Sequence, residues 1–194
     1  MSAPSRGALV ACAALAATAG LVWYANEVGA FRELKFDLRK LPKGTKFLVK
    51  GYRGDYSEAK PHINALPVET EQIVAIYWDD PRLMGNRCRY SIGIVCGKQP
   101  EVEAKLKSEG GWTECEIESD LEILYCAVPY TGTVSGIVAS IRVYPAWVEE
   151  AKKRGKAHGP IVKVTSKKAG LIEFNFLTMP PPPSSFSRAM DKIA

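Results

Sequence analysis

The sequence predicts an α+β domain of about 140 residues carried behind one apolar N-terminal helix. Three observations support this. The segments run strand, short helix, two strands, helix, two strands, long helix, two strands, which reads as a β-α-β-β unit used twice. The chain is 194 residues long, with 46% hydrophobic and 24% charged residues, enough for one folded core and unlike a disordered chain. The run from Gly7 to Ala25, GALVACAALAATAGLVWYA, carries no charge.

That run is nineteen residues long and, as a helix, just spans a hydrocarbon core. Trp23 and Tyr24 end it where amphipathic rings favour the headgroup level. Eight of the nineteen residues are alanine, so insertion is only modestly favourable. A cleaved signal peptide, with Ala17-Thr18-Ala19 as the cleavage signal, is the rival reading. The length of the run and its aromatic end favour an anchor. Arg6 precedes the span, whereas Arg32, Lys35, Arg39, Lys40 and Lys43 follow it closely. The positive side stays cytoplasmic, so residues 1–6 are expected in the lumen and the domain in the cytosol. The absence of an N-x-S/T sequon agrees with that orientation.

Residues 26–44 read as a charged juxtamembrane linker, and residues 45–179 as the folded domain. Lys46–Tyr52 alternates apolar and polar residues as a strand does, and Gly54–Leu66, with Pro61, reads as a broken helical turn. Gln72–Trp78 is a strongly apolar strand closed by Asp79-Asp80-Pro81. Arg89–Cys96 pairs back on it, leaving DDPRLMGNR as a long hairpin loop. Glu101–Glu109 forms a helix with Pro100 at its start and Gly110-Gly111 at its end. Trp112–Ile117 and Leu121–Pro129 are strands. Thr131–Lys156 is the main helix, with Ile137, Ile141, Tyr144, Val148 and Ala151 as its apolar stripe and Pro145 as a candidate kink. Ile161–Ser166 and Leu171–Leu177 close the domain, and residues 180–194 read as a proline-rich, disordered tail.

Several function classes are disfavoured by composition. A net charge of +5 argues against direct, specific nucleic-acid binding. Two histidines, His62 and His158, leave little for a metal site or a catalytic triad. Cys88, Cys96, Cys115 and Cys126 fit no C-x-x-C pattern, and Cys96 and Cys126 read as small buried hydrophobes. No metal or cofactor is expected.

The segment IVAIYWDDPRLMGNRCRYSIGIVCG carries Tyr77, Asp79, Pro81, Cys88, Arg89 and Gly93 in the order Tyr-x-Asp-x-Pro, loop, Cys-Arg-x-x-x-Gly. It resembles the testis-expressed protein 264 family of endoplasmic-reticulum autophagy receptors, as do Pro129-Tyr130-Thr131 and Tyr144-Pro145-Ala146. The resemblance covers roughly residues 20–178. It implies a GyrI-like fold, with the two units making one curved antiparallel sheet and a cleft where they meet. It also implies single-pass residence in the endoplasmic-reticulum membrane and partners in the autophagy machinery.

That receptor role depends on a disordered tail with an aromatic-x-x-aliphatic motif flanked by acids, which adds a strand to an autophagy modifier. Phe186-Ser187-Arg188-Ala189 lacks the bulky aliphatic position. Phe31–Leu34 and Phe174–Leu177 fit the bare pattern, but one hugs the membrane and the other reads as a core strand. The GyrI-like resemblance also implies an acid on the last strand facing the cleft, and Glu173 resembles it. Tyr77, Trp78 and Tyr130 are the accompanying cleft candidates, and the expected ligand is small and apolar or cationic. Strand alternation equally allows Glu173 to point outward, opposite Ile172 and Phe174. No nucleophile–base pair stands out, so the expectation is a membrane-anchored adaptor and not an enzyme; a hydrolase using Glu173 is the alternative.

Overall fold

The computed structural model describes residues 6–156, 159–178 and 193. Helix α1 spans Arg6–Glu27, with its side chains described from residue 15 onward. The strands are β1 (Asp37–Leu41), β2 (Lys46–Gly54), β3 (Gln72–Tyr77), β4 (Cys88–Val95), β5 (Thr113–Glu116), β6 (Leu121–Pro129), β7 (Ile161–Ser166) and β8 (Leu171–Leu177). Between them lie α2 (Ala59–Asn64), α3 (Pro81–Met84), α4 (Pro100–Glu109) and α5 (Thr133–Lys153).

All eight strands join one antiparallel sheet in the order β1-β6-β8-β7-β3-β4-β2-β5. The order is palindromic about its centre. One half is the unit β2-α2-β3-β4, the other is β6-α5-β7-β8, and β3 pairs with β7 where they meet. Each unit carries one extra edge strand, β5 on β2 and β1 on β6.

The sheet buries both faces, and strand alternation decides which side chains go where. On one face, Ala59 of α2 and Val102 and Leu106 of α4 pack on Leu48, Ile73, Ala75, Tyr90, Ile92 and Ile94. Farther along that face, α5 lies on Leu124, Cys126, Ile161, Ile172, Phe174 and Phe176, with the Trp147 ring stacked 4.4 Å from that of Phe176. The other face gathers Phe47, Val49, Val74, Ile76, Trp78, Ile123, Val162 and Leu177, covered in part by Ile193.

Local chemistry accounts for the helix ends. Pro100 opens α4 with Glu101 and Glu103 in its first turn, and Gly110, at φ 73°, ends it. Ser135 closes the start of α5: its Oγ accepts from the Thr131 N–H at 2.9 Å and donates to the Gly132 carbonyl at 2.7 Å. The helix runs unbroken through Pro145, where the sequence predicts a kink or a second segment. Pro145 and Ile141 are both exposed, so the carbonyl deprived of its N–H lies on the solvent side of the helix.

Three expectations change. Residues 37–41, read as linker, form β1 and pair with β6 from Asp37↔Tyr125 to Leu41↔Leu121. Val28 is buried, and Leu34 and Phe36 pack against the Trp147–Phe176 cluster, so the domain begins well before residue 45. DLRKL is too charged to read as a strand by alternation; its pairing comes from the free edge of β6. The buried row of α5 is Ser135, Ala139, Val143, Trp147 and Ala151, and not the stripe containing Ile137 and Ile141, which stay half or more exposed. The hairpin loop after Trp78 is also ordered into α3, where the Asp80 carboxylate accepts from the Arg82 N–H at 2.9 Å and Pro81 takes the first turn.

Among the described residues, no helix is long and apolar enough to cross a membrane. The expected span 7–25 lies partly outside the described side chains, as do most of the tail 180–194 and His158. The described part of α1 is apolar and solvent-facing, with Leu15 71% and Trp23 65% exposed.

Gly93 sits in β4 between Val49 and Val74. A Cβ there would come within 1.9 Å of the Leu48 carbonyl oxygen, so β2 and β4 approach too closely for any side chain. Gly93→Ala is expected to destabilise the domain by about 3 kcal/mol or more, read as a fall in the urea midpoint. Gly136→Ala, whose Cβ would meet only Ile172 Cδ1 at 3.9 Å, is expected to leave the midpoint unchanged or raise it.

Candidate ligand groove

Helices α2 and α5 each cover their own half of the sheet, and a groove is left open between them above the β3–β7 seam. Its volume is about 620 Å³. The floor comes from Ile73, Ala75 and Tyr77 on β3 and from Lys163 and Thr165 on β7. These residues share a face because antiparallel register sets Ala75 opposite Lys163 and Ile73 opposite Thr165. One wall is α2 and the turn before it, with Tyr56, Lys60 and Ile63; the other is α5, with Gly136, Ile137, Ser140 and Ile141. A side lobe of about 240 Å³ shares Tyr56, Tyr77, Ser140 and Lys163 with the groove and continues past Pro81, Tyr144 and Phe174.

The floor is held in place from the hairpin. The Asp79 carboxylate accepts from the Arg89 guanidinium at 2.6 and 2.9 Å and from the Arg89 backbone N–H at 2.8 Å. Burial raises the Asp79 carboxyl, but these three Arg89 donors outweigh it and hold the group below the usual carboxylate range. The Tyr56 hydroxyl donates to the Asp79 carbonyl at 2.6 Å and accepts from the Asp79 N–H at 3.0 Å. The Tyr56 ring is then set edge-on to Tyr77, with centroids 4.7 Å apart. Burial pushes the Tyr77 phenol up to about 12 and raises that of Tyr56 further, so both remain neutral hydrogen-bonding groups.

Lys163 is the unusual member of the floor. Its Nζ donates to Ser140 Oγ at 3.3 Å and lies 5.5 Å from the centre of the Phe174 ring. No carboxylate is paired with it among the described residues. Burial pushes its ammonium down to about 8. Ser140 Oγ itself donates back to the Gly136 carbonyl at 3.0 Å, an ordinary helical back-bond.

The sequence-predicted candidates are divided by the sheet. Tyr77 and Tyr130 line the groove. Trp78 faces the opposite layer, where its Nε1 donates to Ser91 Oγ at 2.9 Å. Glu173 also faces away: Ile172 and Phe174 beside it pack towards α5, and Glu173 Oε1 accepts from the Tyr125 hydroxyl at 2.8 Å. Burial, and then that carboxylate, push the Tyr125 phenol up to about 12. The outward alternative for Glu173 is therefore the one adopted, because one residue of register moves a side chain through the sheet. The groove's own charges are Lys60 and Lys163, which oppose the expected cationic ligand. Lys163 escapes sequence reasoning because a lysine in IVKVTS reads as the solvent side of an alternating strand; only the packing of α5 against β7 encloses it.

Of the weak partner motif, Phe31 is exposed while Leu34 packs into the Trp147–Phe176 cluster, so the two cannot both leave the domain as an extended peptide. Phe174–Leu177 is part of β8. Elsewhere, Cys96, Glu103 and Glu114 bring possible metal-ligand atoms together. Lys107 already meets Glu103 at 2.7 Å and Glu114 at 3.4 Å, Lys46 meets Glu114 at 3.3 Å, and burial pushes the Cys96 thiol up to about 11.

No protein-family model matches the chain, and no curated protein matches it. Among solved structures it is similar to the EcmrR C-terminal domain, at 11% identity and a TM-score of 0.46, covering 75% of this chain and 98% of that one. It is also similar to EcmrR in the EcmrR–DNA complex solved by cryo-electron microscopy, at 10% identity and a TM-score of 0.47, covering 86% of this chain and 65% of that one.

The buried ammonium has a measurable consequence. A lysine held near 8 when folded and 10.5 when unfolded binds fewer protons in the native state between those values, so stability rises with pH across that window. Below it, the buried charge destabilises the fold. Lys163→Met is expected to raise stability at pH 7 by about 1–3 kcal/mol. That gain should shrink as the pH is raised from 8 towards 10.5, as followed by thermal unfolding.

Proposed function

We propose that this chain is a membrane-tethered binding module with a GyrI-like fold, which holds one small and largely apolar molecule in the groove over the β3–β7 seam. The observation that carries the reading is the groove itself. It is enclosed by both halves of the sheet, floored by Ala75 where a larger residue would fill it, and lined by apolar and aromatic side chains with a few polar groups among them. The palindromic strand order is what a duplicated β-α-β-β fold requires. Binding is favoured over catalysis because Ser140, the groove hydroxyl beside Lys163, is back-bonded within its helix, and Glu173 lies on the other face of the sheet.

Tethering rests on α1, whose apolar side chains Leu15, Leu21, Val22 and Trp23 are exposed among the described residues. Just beyond it the chain is fastened to the domain: Val28 is buried, and the Arg142 guanidinium of α5 donates to the Gly29 and Arg32 carbonyls. The cations following the span favour a domain on the cytosolic side of the endoplasmic-reticulum membrane.

Two experiments test this reading. In sealed microsomes the domain should be digested by added protease, and protection, or a mature N-terminus at Gly20, would overturn the orientation. With the full chain in nanodiscs, small apolar probes should raise the unfolding temperature. Gly136→Leu, which fills the α5 wall, should abolish the rise; an equal rise in that variant would remove the groove from the account.

The autophagy partnership requires more than this chain displays. An added strand needs an extended segment with an aromatic and an aliphatic residue free to enter two pockets. Leu34 is committed to the core and Phe174–Leu177 to β8, while Phe186 lies outside the described residues. Calorimetric titration with a purified autophagy modifier is expected to give no binding tighter than millimolar. Micromolar binding lost on Phe186→Ala would instead make the tail a docking segment.

A further inference from the structure

We infer that the groove selects a lipophilic carboxylate, an acid of the fatty-acid class, with its headgroup held at Lys163 and Ser140 and its chain along the space between α2 and α5. The inference rests on the groove being a ligand site and names what enters it. Charge decides the class. The lining of groove and side lobe together includes two cations, Lys60 and Lys163, and no aspartate or glutamate. A cationic ligand would meet two like charges over an apolar floor, and a neutral one would cover the half-buried Lys163 ammonium without pairing it.

Geometry places the headgroup. Lys163 Nζ carries three N–H donors, of which one has an oxygen partner among the described residues, Ser140 Oγ at a long 3.3 Å. The opposite residue in the register is Ala75, whose methyl group leaves room above the ammonium. One carboxylate oxygen can accept from Nζ and the other from the Ser140 hydroxyl, once that hydroxyl turns from the Gly136 carbonyl. Lys163 lines both the groove and its side lobe, so a headgroup bound there has apolar space on either side of it. Tyr56, Tyr77 and Phe174 supply aromatic surface around that point, while Ile63, Ile137 and Ile141 flank the length of the groove. The exposure of Ile137 and Ile141, otherwise unexplained on a helix with a separate packed row, is what a chain laid along the groove would cover.

The acid can come from the aqueous phase or from the bilayer, and one set of measurements separates the sources. The full chain in phosphatidylcholine nanodiscs is titrated with octanoate, octanol and octylamine at pH 7, following the unfolding temperature, and separately assembled with palmitic acid in the bilayer. Octanoate should bind at least tenfold more tightly than octanol, and octylamine more weakly than either. Lys163→Met should bring octanoate down to the level of octanol, whereas Lys163→Arg, which keeps the charge, should retain the preference. Lys60→Met should have the smaller effect, since Lys60 is exposed. A shift with octanoate in buffer assigns an aqueous acid, and a shift with palmitic acid alone assigns the bilayer. Binding of octanol with no preference for octanoate, or a preference that survives Lys163→Met, overturns the inference while leaving a ligand groove. A failure of all the probes, palmitic acid included, to bind the wild type overturns the groove reading and the inference with it.

Discussion

The hydrogen-bonded pairing of β3 with β7 joins two β-α-β-β units edge to edge, from Gln72↔Ser166 to Tyr77↔Ile161. Across that continuous seam, α2 packs mainly on the strands of the first unit and α5 on those of the second. Helix α2 is short, six residues, and α5 is long, twenty-one, yet neither reaches over the join. The space left above β3 and β7 is therefore a product of the duplication. On that face the side chains farther out meet a helix; those of Ala75, Lys163 and Thr165 meet a groove.

This position explains why an apparently costly residue sits at the centre of the domain. A lysine whose ammonium is driven down by burial weakens the fold at neutral pH. The same domain contains better-compensated charges. Asp79 and Arg89 satisfy each other through three hydrogen bonds at the end of the β3–β4 hairpin, and that pair also positions the carbonyl and N–H that orient Tyr56. A structural charge is thus paired within the hairpin, while the charge in the groove is left with a serine 3.3 Å away. That contrast is the physical ground on which the proposal of an anionic headgroup at Lys163 rests.

The motif Tyr77, Asp79, Pro81, Cys88, Arg89, Gly93 acquires a cause residue by residue. Tyr77 is groove floor, Asp79 and Arg89 close the loop, and Pro81 starts α3. Cys88 is buried with its thiol donating to the Gly85 carbonyl at 3.1 Å, and Gly93 lets β2 and β4 approach. Four of these six roles concern the shape of the hairpin, and Gly93 sets the approach of the neighbouring strand. A pattern of this kind therefore reports a fold more directly than a function.

What the sequence determined by itself was local: the existence and order of ten strand and helix segments, the hairpin at Asp79, and the glycine stop of α4. Period, turn chemistry and capping act within a few residues, so they can be read there. Tertiary structure decided the rest. DLRKL became a strand because β6 had a free edge, and Ile137 and Ile141 were left at a groove because a second row of α5, ending in Trp147 and Ala151, fitted the sheet better. Above all, Glu173 lies on the face away from the groove, and Lys163, which the sequence does not single out, lies on its floor. Both are single charges in apolar, alternating strands, and alternation says only that neighbours face opposite ways; which face receives a helix is settled by how β7 and β8 pair and where α5 docks.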